Sequence, residues 1–279
     1  MVGEAGQVMT IEKIRVGEIE FAYRWDGPED GPIVVMAHAM GTSHQLWDWQ
    51  IPALADRYRI LRYDFRGAGD TDAPAGRYTL GQFDADAIGL LDAFGLDQVH
   101  WIGISTGGMI GQGLGIHHPD RLLSLSLCCT LSFTEPEHQV WISERQELVR
   151  REGMVPVWEA TDRYWFTDQF VEAANEDYHK VRKIFISTKI PGYIGGTSAV
   201  AGLNYRDSLH KIKAPTNIIG SLGDPAAPIE CTYAIHKRIV GSRLTVIENQ
   251  HHFPNVEAPE EFNLILRSGL DWFVDGRKK

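Results

Sequence analysis

Short apolar runs separated by helical spacings dominate the chain. Residues 32–37 (PIVVMA), 58–63 (YRILRY) and 99–102 (VHWI) are brief and mostly apolar, the pattern of parallel strands covered on both faces. Residues 11–16 and 18–24 instead alternate apolar and polar positions around Gly17, which predicts an antiparallel hairpin at a sheet edge. Residues 79–94 place Leu80, Phe83, Ala87, Leu90, Leu91 and Phe94 on one stripe, with Asp84, Asp86 and Asp92 elsewhere. That spacing predicts a helix, and Gly95 supplies its stop. Residues 109–118 read as another helix and 122–127 as the next strand. Strand and helix alternate, so the sheet is predicted to be mainly parallel.

The alternation breaks between residues 132 and 206, where Trp141, Trp158, Trp165, many charges and helical spacings such as residues 140–151 replace it. It returns with a strand at 216–220, a helix near 228–239, a strand at 243–247 and an amphipathic helix at 259–273. The division predicted is a core domain of residues 1–131 and 207–279 with a helical cap at 132–206. An insert between consecutive strands of a doubly wound sheet lies over the carboxyl ends of the strands, where ligands bind.

Composition narrows the class. Hydrophobic residues make up 43% and charged residues 23% of 279, the proportions of an ordinary soluble globular protein. No run approaches the roughly 20 apolar residues that span a bilayer. Residues 1–10 carry glycines and an acid where a secretory signal carries a basic start and an apolar stretch, so cytoplasmic residence is the expectation. The net charge of −10 argues against nucleic acid, because phosphate binding needs a basic face and the one basic cluster is the terminal Arg277-Lys278-Lys279, read as a solvated end. Cys128, Cys129 and Cys231 are odd in number and lack paired metal spacing, so they read as free thiols. Oligomeric state is open between monomer and homodimer.

The chemistry begins at Gly103-Ile104-Ser105-Thr106-Gly107, which joins the run at 99–102 to the small-residue stretch that reads as a helix. A strand, a sharp turn and a helix strain the serine towards positive φ, and only small residues fit two places before and after it. The turn holds the hydroxyl clear of the sheet while the helix N-terminus aims free N–H groups at the same spot. A serine hydroxyl still requires a base, and the base a group that holds its tautomer. Asp224 follows the strand at 216–220, and His252 follows the strand at 243–247. The acid could instead follow the preceding strand, but Cys129-Thr130 there offers no carboxylate. His251 competes with His252 for the base; the following Phe253-Pro254 favours His252. For an oxyanion hole, Thr106 N–H is one donor, and the loop His38-Ala39-Met40-Gly41 offers the other, with Met40 preferred to Ala39.

Other residues take plainer readings. His38 is expected to hold the oxyanion loop by a hydrogen bond, with Asp64 and Arg66 bracing that loop and a neighbouring turn. No metal is expected, since His117-His118 and His251-His252 are adjacent pairs without further ligands at suitable spacing. Gly111-Gln112-Gly113 lies inside a helix, not at a strand-to-helix turn, so no dinucleotide cofactor is expected either. Trp141 and Trp165, with Ala39, are the candidates to lie against a substrate.

Together, GISTGG, the His38 loop with Thr42-Ser43 and Trp47, Asp64 to Gly69, Gly220 to Pro228 and His252 to Glu257 resemble the α/β-hydrolase superfamily across essentially the whole chain. Within it, Gly107 to Gly113, His118-Pro119-Asp120-Arg121 and Lys213-Ala214-Pro215-Thr216 look most like the 3-oxoadipate enol-lactonase group. The resemblance implies an α/β fold: a mainly parallel eight-stranded sheet with helices on both faces and a helical cap insertion. It implies a cofactor-free serine hydrolase acting on a small carboxylic ester or lactone through an acyl-enzyme. The alternatives are a ligand receptor or signalling protein on the same scaffold, or a C–C bond hydrolase or other non-esterase enzyme. Two departures stand out. The oxyanion loop of that group begins Asn-Ser-Leu-Gly or similar where this chain has His38-Ala39-Met40-Gly41. The arginine that often precedes a Trp-Phe pair in the cap is replaced by Tyr164, with Arg163 one place earlier.

Overall fold

The computed structural model describes residues 11–276. The segment read above for a signal and the basic tail lie outside the described residues, Arg277 included. Eight strands form one sheet: β1 Glu12–Val16, β2 Ile19–Asp26, β3 Ile33–Ala37, β4 Arg59–Tyr63, β5 Val99–Ile104, β6 Leu122–Cys128, β7 Thr216–Ser221 and β8 Arg243–Ile247. Their order is β1-β2-β4-β3-β5-β6-β7-β8. The β1–β2 hairpin is antiparallel, turns at Gly17 (φ 58°), and joins the sheet antiparallel to β4; the remaining pairs are parallel.

Side chains alternate across the pleat, which explains why these strands are apolar almost throughout. Val35, Ala37, Trp101, Leu125 and Leu127 pack into one core layer. Val34, Met36, Ile102, Ile104 and Ile219 pack into the layer on the other face. The helix Leu80–Ala93 starts at Thr79, whose side chain accepts from Gln82 N–H while the Gln82 side chain reaches back to Thr79 N–H. This reciprocal cap satisfies two otherwise orphaned donors, and Gly95 (φ 66°) follows the helix end.

Between β6 and β7 the chain forms six α-helices, from Pro136–Glu152 to Ile190–Ala201, and then the 3-10 helix Arg206–Lys211. The entry and exit of this segment are tied together by a bridge between Phe133 and Asn204, and by the Tyr205 N–H donating to the Ser132 carbonyl at 2.8 Å. Midway along it, Trp165 docks on the core: its carbonyl accepts from Phe253 N–H at 3.1 Å and its ring lies 4.6 Å from that of Phe253. No helix of the described residues is long and apolar enough to cross a membrane.

Candidate active site

Ser105 sits between the end of β5 and the helix Thr106–His117 with φ 52° and ψ −116°. This non-glycine positive φ costs energy, and the surroundings over-determine it. The Ser105 N–H donates to the Cys128 carbonyl at 2.9 Å, and the Ser105 carbonyl accepts from Met109 N–H at 3.0 Å and from Thr130 Oγ1 at 2.7 Å. Strand and helix nearly touch on either side of it. A Cβ on Gly103 would lie 2.1 Å from the Gly107 carbonyl oxygen, and one on Gly107 would lie 2.0 Å from the Ala37 carbonyl oxygen. Only glycine fits at either place.

His252 and Asp224 lie beyond β8 and β7, at the same carboxyl edge of the sheet. The His252 Nδ1–H donates to Asp224 Oδ2 at 2.7 Å, with both side chains buried. The other carboxylate oxygen, Oδ1, accepts from the Ala226 and Ala227 N–H groups at 2.8 and 2.9 Å. Asp224 is thus held from both sides, and it leaves Nε2 of His252 as the ring's free acceptor. The His251 Nδ1–H donates instead to the Arg163 carbonyl at 3.1 Å. Adjacent residues on the loop point apart, as the competition between them required.

The loop after β3 forms a tight turn. Thr42 N–H donates to the Ala39 carbonyl at 3.2 Å, and Gly41 has φ 71°, the positive φ that a type II turn requires at its third residue. In such a turn the N–H of the second residue, Met40, takes no part in the turn's own bond. Thr106, at the first position of a helix, likewise has no intrahelical acceptor for its N–H. His38 sits beneath the turn: Phe65 N–H donates to its Nε2 at 3.3 Å, which puts the proton on Nδ1 to donate to the Ala39 carbonyl at 2.8 Å. Burial lowers the His38 pKa to about 4, so the ring is a neutral bracket at ordinary pH. Asp64 accepts from the His44 backbone N–H at 2.6 Å and ring Nδ1 at 2.9 Å. Burial alone would raise its pKa, but the His44 hydrogen bonds outweigh it and hold the carboxyl down. Arg66 differs from expectation: both its Nε and Nη2 donate to Asp86 at 2.6 Å, so it clamps the helix Leu80–Ala93 and not the loop of residues 38–41.

Ser105, Thr106, Met40 and His252 line one small cavity of about 90 Å³, and Trp141 and Trp165 form part of its wall. Ala39 is not among the lining residues: it is buried in the turn, its carbonyl occupied by His38 and Thr42. His138 and Tyr193, which sequence reasoning passed over, do line it. His138 lies three residues before Trp141 on the helix Pro136–Glu152, its ring 5.3 Å from the indole. Burial, and then the charge that His252 gains on protonation, lower its pKa. The three cysteines are free. Gly111, Gln112 and Gly113 lie within the helix Thr106–His117, and Gln112 Nε2 donates to the Leu131 carbonyl at 2.8 Å. Among the described residues, no group of three or more His, Cys, Asp or Glu is placed to hold a metal ion.

Residues 32–259 match the family of the α/β hydrolase fold, and the chain belongs to that family. The 3-oxoadipate enol-lactonase 2 of Acinetobacter baylyi is 32% identical over 256 residues, 92% of this chain and 95% of that protein. A hydrolase from Pseudomonas aeruginosa superposes with a TM-score of 0.90 at 31% identity, covering 95% of this chain and 99% of the other. The enol-lactonase from Burkholderia xenovorans superposes at 0.89 with 30% identity, over 93% and 99%.

Proposed function

We propose that the protein is a serine hydrolase that cleaves a small carboxylic ester or lactone through an acyl-enzyme. The observation that carries this reading is Ser105, held at positive φ at a helix N-terminus, sharing a cavity with a histidine whose other nitrogen is bonded to a buried carboxylate. His252 Nε2 takes the Ser105 proton as Oγ attacks the carbonyl carbon, and Asp224 stabilises the imidazolium and fixes its tautomer. Charge that develops on the carbonyl oxygen is met by the Met40 and Thr106 N–H groups and by the positive end of the helix dipole. His252 then returns its proton to the leaving oxygen. With an ester an alcohol departs; with a lactone the leaving oxygen stays tethered to the acyl group. A water deprotonated by His252 attacks the acyl-enzyme and releases the acid.

Segment 132–206 acts in this reading as a cap, because its Trp141 and Trp165 form part of the wall of the cavity that holds Ser105. The relatives at about 30% identity that are named enol-lactonases support lactone chemistry in particular. Turnover of a p-nitrophenyl ester should fall by roughly 10⁴-fold or more in Ser105→Ala, leaving what binding and the oxyanion hole supply. Full turnover in that variant would reject the mechanism.

A further inference from the structure

The cavity that holds Ser105 adjoins a second, larger one of about 660 Å³, and the two share His138, Trp141 and Trp165 as walls. Cavities of the larger size accept small organic ligands, whereas the inner one has room for little beyond an acyl carbon and its immediate substituents. Among the described residues, none that lines the inner cavity is Lys, Arg, Asp or Glu. Met40, Met109, Ile142 and Val200 give it apolar walls.

The cations near enough in sequence to serve a substrate carboxylate are engaged elsewhere. Arg163, one place before Tyr164, is exposed and paired with Asp168. Tyr164 itself lines the outer cavity. Arg145 lies over the Trp141 ring at 4.1 Å and donates to the Ala160 carbonyl, and it lines neither cavity. At the outer cavity Arg206 is bonded to Glu135 and lies over Phe133 at 4.0 Å. Arg238 donates to the Ala234 carbonyl at 3.3 Å, and Glu137 and Glu230 line the same cavity. An anionic substrate would approach a chain of net charge −10, meet no Lys or Arg in the inner cavity, and find Glu135, Glu137 and Glu230 outnumbering Arg206 and Arg238 in the outer one, which is unfavourable for a carboxylate that must give up its hydration.

Resting on the serine-hydrolase reading, we propose that the substrate is an uncharged ester or lactone. Its carbonyl end enters the inner cavity and its apolar remainder fills the outer one, between Phe133, Tyr164 and the turn from Pro225 to Pro228.

The test is a matched pair of γ-lactones, one with a butyl side chain and one with a carboxyethyl chain of equal length, assayed at pH 7.5 and low ionic strength. The neutral lactone should show a kcat/KM at least 100-fold higher, with turnover of both lost in Ser105→Ala. In Ala234→Trp, which fills the outer cavity, the preference for butyl over methyl side chains should fall at least fivefold. Ser105-dependent turnover that favours the carboxylate would overturn this inference and leave the hydrolase reading standing. An unchanged butyl preference in Ala234→Trp would overturn the role of the outer cavity. No Ser105-dependent turnover of either lactone or of a p-nitrophenyl ester would overturn both readings.

Discussion

A Cβ on Gly103 would stand 2.1 Å from the carbonyl oxygen of Gly107, so the strand that ends before Ser105 and the helix that begins after it are in contact through two missing side chains. The positive φ of Ser105 persists because this contact, and the hydrogen bonds to Cys128 and Thr130, leave no other path for the chain. Gly103→Ala must therefore push strand from helix. We expect it to destabilise the fold by roughly 3 kcal/mol, the upper end for an overpacked core, and to abolish activity at temperatures where the protein remains folded. Urea unfolding and ester turnover on the same preparation check both; a variant with parent-like values of each would contradict the packing argument.

Asp224 orients His252 while its second oxygen is tied to Ala226 and Ala227. Asp224→Asn can keep its oxygen on those two N–H groups, but it then turns an NH₂ towards Nδ1 and forces the proton to Nε2. With the wrong tautomer facing Ser105, kcat should fall by about 10⁴-fold with little change in fold stability. A loss under tenfold would show that Asp224 is not the orienting acid.

The Met40 donor depends on Gly41, whose φ of 71° allows the turn and whose added Cβ would meet the Phe185 ring at 2.7 Å. Gly41→Ala should shift the Met40 N–H and lower kcat by about 10²- to 10³-fold, the effect of one lost oxyanion donor, with KM changed far less. Steady-state kinetics separate the two; a rise in KM alone would assign the loop to substrate binding.

His38 supplies a pH signature. Its folded pKa of about 4 lies below the value of 6.5 for a free imidazole, so between these limits the unfolded chain binds the extra proton and stability rises with pH. The stabilisation from keeping His38 neutral is fully present above about pH 6.5 and is lost as pH falls towards 4. The loss amounts to roughly 3 kcal/mol at most. Chemical denaturation of the parent and of His38→Asn at pH 7, 5.5 and 4.5 should give a shallower slope in the variant. Equal slopes would mean that the ring is not buried neutral.

The parallel strands and the strained turn at Ser105 were legible because local sterics and burial dictate them. Strands covered on both faces are apolar throughout, and a serine on a strained turn needs Gly103 and Gly107. Asp224 and His252 could be singled out because each stands just past a strand, a place visible in the pattern, and the structure brings the two side chains to 2.7 Å. Arg66 was misplaced because arginine reaches far enough to choose among several acids, and Asp86, on a helix that packs beside it, offered both oxygens. His138 and Tyr193 were missed because the helices of residues 136–201 meet the site through tertiary packing that no period encodes. One signal for His138 was present: it precedes Trp141 by three residues, which puts both on one face of a helix.

The central claim is that Ser105 Oγ becomes covalently acylated. Rapid quenching of the protein in acid within the first turnovers of a slowly hydrolysed p-nitrophenyl ester, followed by intact-mass measurement and peptide mapping, tests it directly. The account predicts a mass increase of one acyl group on the peptide containing Ser105, absent from Ser105→Ala. Turnover of the same ester with no acyl adduct at any time, or with the adduct on another residue, would contradict it.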